Sequence, residues 1–393
     1  MFKCVAVKTK FRQKTVEERD TFIRVRDGLA IRNAPSLATL NCFSEHVIGA
    51  FSLGQSIVLD ACINSKLRQL PLVTEEPSVV AAINKGISIF NSCKGVIASN
   101  DTNHVLMGQV HVSLDSLTYK QMCDYIKANQ EKIKSMCAAC IPKLARLIDR
   151  GGGFSGDFDL TQQGSTNYCC LEFSLDVQES MGANIVNTVA ETIATELKNT
   201  FSNSLRVLFS ILSNDCSQRK SYAEVAIVLD DSKTIPLSTG ILIEEASYIA
   251  YLNKQRAVTH NKGIMNGVIA LALATGQDTR AVESAAHFYA QDLGNNNQYG
   301  PLSTWKVNNG VLYGKLAIPT PTSVVGRLKD NHAHVNDNLV QLMQNPNAFE
   351  LGQCMACVGL ASNFSALLAL VTDGISKGHM SLHNCGVFLE SRL

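Results

Sequence analysis

Lys262 and Asp278 bracket a run of small and apolar residues, Gly263 to Gly276, that ends in the polar pair Gln277-Asp278. Within it, Val268 to Ala274 carries no charge and no strong turn former, which predicts a buried segment. Such a segment can hold an ammonium at one end and a carboxylate at the other, both at the edge of a core. An ammonium fixed there stabilises negative charge on a carbonyl oxygen far better than one on a wet surface. On residue types alone the pair also reads as the two solvated ends of a buried helix.

Other patterns carry possible chemistry. Two Cys-x-x-Cys pairs, Cys137-Cys140 and Cys354-Cys357, supply four potential zinc ligands or two redox dithiols. Each lies in a helix-like apolar pattern and not in a knuckle-type turn, so no metal site is expected. Gly151 to Gly156, GGGFSG, satisfies GxGxxG literally. The dinucleotide fingerprint needs a strand before it and a helix after it. Here a long helical pattern precedes and a strand pattern follows, so the glycines read as a helix stop and loop, and a Rossmann domain is excluded.

The wider string decides how Lys262 and Asp278 are read. HNKGIMNG followed by ATGQDTRAVESAAHFYA resembles the hydroxymethylglutaryl-CoA (HMG-CoA) reductase family in its soluble class II form. PLVTEEPSVVAA from Pro71, SMGANIVNTVAE from Ser180 and GISKGHMSLH from Gly374 resemble the same family in the same order. The resemblance runs from Phe11 to His383. It implies interconversion of HMG-CoA with mevalonate and CoA through two hydride transfers with NAD(P)H. It implies Glu76 as a catalytic acid, Lys262 beside the oxyanion, Asp278 between the two, and His379 as proton donor at the start of a mobile C-terminal flap. Substrate contacts are implied for Arg12, Ser78, Asn214, Arg256 and Asn266; a guanidinium suits carboxylate or phosphate. Cofactor contacts are implied for Asp157 after the glycine loop, and for Glu179, Met181, Gly182 and Asn184 at a helix start that favours pyrophosphate. A carboxylate at Asp157 accepts ribose hydroxyls and repels a 2′-phosphate, a lean towards NADH. The family also implies a homodimer, or a multiple of it, with the active site between subunits.

The chain departs from the family's pattern in several places. His46 stands for an Asn, Glu179 for an Asp, and Thr322 and Val325 for glycines; the chain also ends at Leu393, sooner than the family does. These departures motivate an alternative, a degenerate relative that binds CoA esters without turnover. Retention of Glu76, Lys262, Asp278 and His379 argues against it.

The elements that would position these residues follow from patterning. Val16 to Asp27 and Ser36 to Phe43 are helix-like, and Ser56 to Ala61 leads through a hairpin to Leu70–Val73. Pro77 opens a helix behind Glu76. From His104 the order is strand, one long helical pattern over Tyr119 to Arg150, strands near Phe158 and at Tyr168 to Val177, a helix over Gly182 to Asn199, and a strand over Leu205 to Leu212. That is the β-α-β-β-α-β order of a ferredoxin-like domain. Ala356 to Ile375 reads as a buried helix. The expected class is α+β: a large mixed α/β substrate domain over 1–108 and 216–375, a ferredoxin-like cofactor domain inserted at 109–215, and the start of a flap over 376–393. With 393 residues, 46% hydrophobic and 18% charged, the chain can bury a sizeable core. A net charge of +1 argues against nucleic acid as the main partner. Thirteen cysteines without a leader-like N-terminus indicate a reducing compartment. The most apolar stretch, Ala356 to Val371, is interrupted by Ser362, Asn363 and Ser365, so a soluble, cytoplasmic protein is expected.

Overall fold

The computed structural model describes residues 11–27, 36–102, 104–230, 235–326 and 332–374. Helix α1 (Val16–Asp27) and the short α2 (Leu37–Asn41) precede a hairpin of β1 (Gln55–Ile63) and β2 (Lys66–Val73). Asn64 and Ser65 between the strands both take positive φ, as a two-residue hairpin turn requires. In α3 (Pro77–Ser92), Glu76 is the N-cap and Pro77 fills the first helical position, where its missing N–H costs nothing. Strand β3 (Ile97–Asn100) closes this first part.

A second unit is then inserted. It runs through β4 (Val105–Leu114), α4 (Tyr119–Cys140), α5 (Pro142–Ile148), β5 (Gly153–Phe154), β6 (Asp159–Gln162), β7 (Tyr168–Asp176), α6 (Ala183–Phe201) and β8 (Leu205–Leu212). Its antiparallel sheet has the order β5-β7-β4-β8, with β6 also pairing with β7. Helices α4 and α6 bury Met122, Ile126, Ile133, Val186, Val189 and Ile193 in a core of this unit's own. Three expectations need correction. The helix predicted over Tyr119–Arg150 breaks at Ile141, which takes φ −114° and ψ 98° because Pro142 excludes it from helical backbone. The glycine loop contains the short strand β5, paired through Gly153 and Asp176. Finally, β4 starts at Val105, so a boundary at 108/109 would cut a paired strand; Leu106 already belongs to the small core.

The chain returns in β9 (Lys220–Val228), α7 (Leu237–Leu252), α8 (Lys254–Ala274), α9 (Thr279–Tyr289), β10 (Ser303–Asn308), β11 (Val311–Pro319), α10 (Ala333–Asp337) and α11 (Ala348–Val371). These strands and β3 form the antiparallel order β10-β11-β9-β3. Val268, Ala270, Leu271, Ala272 and Ala274 of α8 are buried as their composition predicts, while Leu273 faces outward. Helix α11 is the centre of the large core. By length and composition it is apolar enough to cross a membrane, yet 78% of its most apolar window is buried inside the protein. The polar residues that interrupt its sequence are buried too and each has a partner. Ser362 and Ser365 donate to the backbone oxygens of Gly263 and Ala82, and Asn363 accepts from Trp305.

Glycines set how closely α3 and α8 approach α11. A Cβ on Gly86 would lie 2.6 Å from the Ala361 carbonyl oxygen, and one on Gly267 2.6 Å from that of Val358. Both contacts are with backbone, so neither can yield by a rotamer change. Gly267→Ala and Gly86→Ala are each expected to destabilise the fold by about 1–3 kcal/mol in denaturant unfolding. A change of a few tenths would mean that the helices are free to separate.

Candidate active site

A cavity of about 1690 Å³ opens between α3, α8 and α11, roomier than the about 300–1,000 Å³ of a drug-sized ligand site. Ser78, Arg256, Lys262 and Asn266 all line it. The last three share α8, whose N-cap Asn253 accepts from the Arg256 amide. One helix therefore presents a guanidinium, an ammonium and an amide to one space. Burial pulls the Arg256 pKa below its ordinary value. Glu76 directly precedes the lining residue Pro77, and its carboxylate accepts from the Ser78 amide at 3.2 Å, as an N-cap does.

Asp278 is placed elsewhere. It is the N-cap of α9, accepting from the amides of Arg280 and Ala281 at 3.1 Å and pairing with the exposed Arg280 guanidinium at 3.2 Å. Burial raises its pKa, but the Arg280 side chain and the two amides outweigh it and hold the carboxyl below its ordinary range. The structure thus joins Ser78, Arg256, Lys262 and Asn266 around the cavity but leaves Glu76, Asp278 and Asn214 outside its lining. Asn214 is exposed in the loop between β8 and β9. Arg12 lies in a single helical turn, Phe11–Gln13. His379 and the flap lie outside the described residues.

The segment expected to hold the cofactor forms the seam between the inserted unit and the large core. Glu179 commits its carboxylate to the Ala348 amide at 2.7 Å, and its backbone oxygen accepts from Val324 at 3.1 Å. Gly182 needs to be glycine for two reasons: φ is 94°, and a Cβ would strike Val177 at 2.5 Å. It leaves α6 without a side-chain cap, and no acidic residue occupies that helix's first turn. A nineteen-residue helix ending so fits the phosphates of a dinucleotide. Met181 is half-buried there and Asn184 exposed. Asp157 is 81% exposed, with the Lys134 ammonium 3.8 Å from its carboxylate. Gln277, next to Asp278, exchanges two hydrogen bonds with the Ser323 backbone, at 2.7 and 3.0 Å. Asp278 therefore lies beside the seam.

Sequence reasoning missed Arg219. Its guanidinium is 1% exposed and donates to the backbone oxygens of Met181 and Thr322, tying both sides of the seam. Burial lowers its pKa to about 10. The replaced glycines cause no strain: Thr322 and Val325 lie outside the positive-φ residues, and the Thr322 hydroxyl donates to the Ala348 oxygen at 3.0 Å. His46 does take positive φ, 56°, a region that Asn and His both tolerate better than most residues. The cysteine pairs are poorly suited to thiolate chemistry. Burial pushes Cys137 and Cys354 each up to about 12, and among the described residues no group of three His, Cys, Asp or Glu side chains could hold a metal.

An antiparallel α+β protein with an inserted sheet unit, a basic cavity on one side and an uncapped helix start at the seam is the class these features define. The family model for hydroxymethylglutaryl-coenzyme A reductase matches residues 8–384, and the chain belongs to that family. It is 33% identical to the 3-hydroxy-3-methylglutaryl-coenzyme A reductase of Archaeoglobus fulgidus over 342 residues, 86% of this chain and 75% of that one. It is also 33% identical to a probable enzyme of the same name from Borreliella burgdorferi, over 86% of this chain and 76% of that one. Among solved structures it resembles the class II reductase of Streptococcus pneumoniae bound to NADPH in open conformations. There the TM-score is 0.83 at 30% identity, covering 92% of this chain and 99% of that one.

The capping geometry makes a separable prediction about Asp278. Asp278→Ala is expected to cost about 1 kcal/mol of stability, whereas Asp278→Asn, an equally good cap, stays within a few tenths. A carboxyl with a depressed folded pKa contributes stability above its unfolded value of about 3.9 and loses it as pH falls. Thermal midpoints between about pH 5 and 3 should therefore fall less steeply for Asp278→Asn than for the parent protein.

Proposed function

We propose that this protein is an HMG-CoA reductase of the mevalonate route, converting HMG-CoA to mevalonate and free CoA, or running the reverse. The observation that carries this reading is the cavity itself, where Ser78, Arg256, Lys262 and Asn266 converge in a member of this family. In the forward direction one thioester takes up two hydrides and two protons, and CoA leaves as a thiol. A bound nicotinamide supplies hydride; the chain supplies position, charge and protons. The Lys262 ammonium stabilises the oxyanion that forms at the thioester carbonyl. Arg256 holds a carboxylate or phosphate of the substrate, with Ser78 and Asn266 orienting the acyl group. Glu76 delivers a proton to the aldehyde oxygen, and His379 protonates the departing thiolate. Asp278 and Asn214 are read as members of the same set, on the family resemblance of their motifs, although both lie outside the cavity lining.

The inserted unit is read as a ferredoxin-like cofactor domain, supported by its element order and by β4 lying between β7 and β8. Its limits are drawn at about 105–215, between the two parts of the substrate domain. Gly182, Met181 and Asn184 would face the cofactor phosphates and Asp157 the adenosine ribose, while Glu179 serves mainly to anchor the seam. The lean to NADH rests on the Asp157 carboxylate. Lys134 beside it partly offsets that charge, and a relative of known structure binds NADPH. A homodimer is supported by α7, where Ile241, Leu242, Tyr248, Ile249 and Leu252 are all exposed, an apolar face of the kind that pairs with a second copy. The buried course of α11 supports a soluble, cytoplasmic protein.

The test follows nicotinamide absorbance with HMG-CoA, using NADH and NADPH in parallel. Turnover by the parent protein that Lys262→Ala lowers by at least about a hundredfold is expected. No turnover with either nicotinamide, or an unaffected Lys262→Ala, would overturn the reading. Asp157→Asn is expected to raise the NADPH-to-NADH rate ratio several-fold.

A further inference from the structure

Arg219 carries a buried charge that the seam alone does not explain. Its Nη1 donates to the Met181 oxygen at 3.3 Å and its Nη2 to the Thr322 oxygen, while Nε has no partner. Neutral donors would serve those two carbonyls equally well. Among the described residues the guanidinium forms no ion pair. Glu179 commits its carboxylate to the Ala348 amide, and Asp176 commits an oxygen to the Gln178 amide. Burial lowers the Arg219 pKa only to about 10, with Cys216, Asp176 and Glu179 pulling the other way, so the group is charged at neutral pH. A cation held in the interior without a paired anion is costly to keep.

The position of the charge points to the anion that would complete it. The peptide joining Met181 to Gly182 is trans, so its C=O and N–H point in opposite directions. With the Met181 oxygen drawn towards Arg219, the Gly182 N–H is aimed away from it. The turn before it is held inwards in the same sense. The Gln178 oxygen accepts from His104 at 2.9 Å, and the Glu179 oxygen from Val324 at 3.1 Å. Beyond Gly182, the amides of Ala183, Asn184 and Ile185 have no acceptor within α6, as at any helix start, and no side chain caps them. Gly182 and Ala183 are half-buried and Asn184 is exposed, so this end of the helix is open to a ligand. An oxygen bound to the Gly182 N–H would lie about 8 Å from the guanidinium. Across protein at that distance, one unit charge changes the affinity for an anion about tenfold.

We propose that Arg219 is a positioning residue of the cofactor site, aiming the Gly182 amide outwards and supplying from beneath it the positive charge that a dinucleotide's diphosphate balances. The assignment rests on the reading of the inserted unit as the cofactor domain. Arg219 touches neither the cofactor nor the reacting atoms; its counter-charge arrives with the ligand.

Calorimetric titration of NADH into the parent protein, Arg219→Lys and Arg219→Gln tests it, with CoA as the ligand of the other unit. Lys keeps the charge and loses the planar fork; Gln keeps an amide donor for the carbonyls and loses the charge. Both variants are expected to have lower thermal midpoints and parent-like CoA affinity. NADH affinity is expected to stay close to the parent value in Arg219→Lys. In Arg219→Gln it should fall by about tenfold and depend less steeply on salt. A purely structural role makes the NADH affinities follow the midpoints instead. That result, or parent-like NADH binding by Arg219→Gln, would overturn the assignment. Should neither variant fold, the parent protein decides. Inorganic diphosphate is then expected to raise its thermal midpoint and to compete with NADH, and diphosphate that does neither rules the assignment out. A parent protein that binds CoA but neither NADH nor NADPH would sink the cofactor-domain reading itself. That failure is distinct from an intact cofactor site indifferent to the charge at Arg219.

Discussion

The closeness of three helices governs the rest of the molecule. Helix α11 meets α3 and α8 at Gly86 and Gly267, where no side chain intervenes between one helix and the other's carbonyl. The consequence passes directly to the chemistry. Helix α3 carries Glu76 and Ser78 at its start, and α8 carries Arg256, Lys262 and Asn266 along its length. The distance between these groups is thus inherited from helix packing and not set by the groups themselves. A catalytic constellation placed on helices gains precision only if the helices cannot drift. Gly263 oxygen accepting from Ser362, and Ala82 oxygen accepting from Ser365, add direction to that contact.

The second organising feature is the seam. Arg219 sits at it with its charge buried, joined to backbone oxygens from both units. A guanidinium can bridge in this way because its donors spread in a fixed plane. Around it, Glu179 reaches the start of α11, and Gln277 holds Ser323. The seam therefore relates the inserted unit to the start of α9 and to α11, and α11 also frames the cavity. Ordering on the cofactor side and ordering on the substrate side share a support.

Much of this was legible in the sequence, for identifiable reasons. Pro77 after two glutamates could only begin a helix, and the alternation from Val105 to Leu114 could only be a half-buried strand. The family's motifs then indicated which charged residues to follow. What escaped was whatever depends on a partner distant in the chain. Nothing local in QRKSY tells which cation is buried. Asp278 illustrates a different omission. DTRA is a good N-cap signal, and the capping it predicts is what the structure shows. The break at Ile141 was readable from Pro142 and was lost to the strength of the surrounding helical pattern.

The point of insertion has a consequence for how the chain comes together. Asn100 of β3 pairs with Ser221 of β9, so the inserted unit occupies the place of a hairpin turn roughly 120 residues long. Closing so long a loop while it is disordered costs entropy before any pairing repays it. Once β4 lies beside β8, with Gly108 facing Leu212, the two ends of the insert are already neighbours and the loop is effectively short. The large sheet therefore has a kinetic reason to assemble after the small one, and the unit read as holding the cofactor in the finished protein doubles as the staple that lets the substrate unit form.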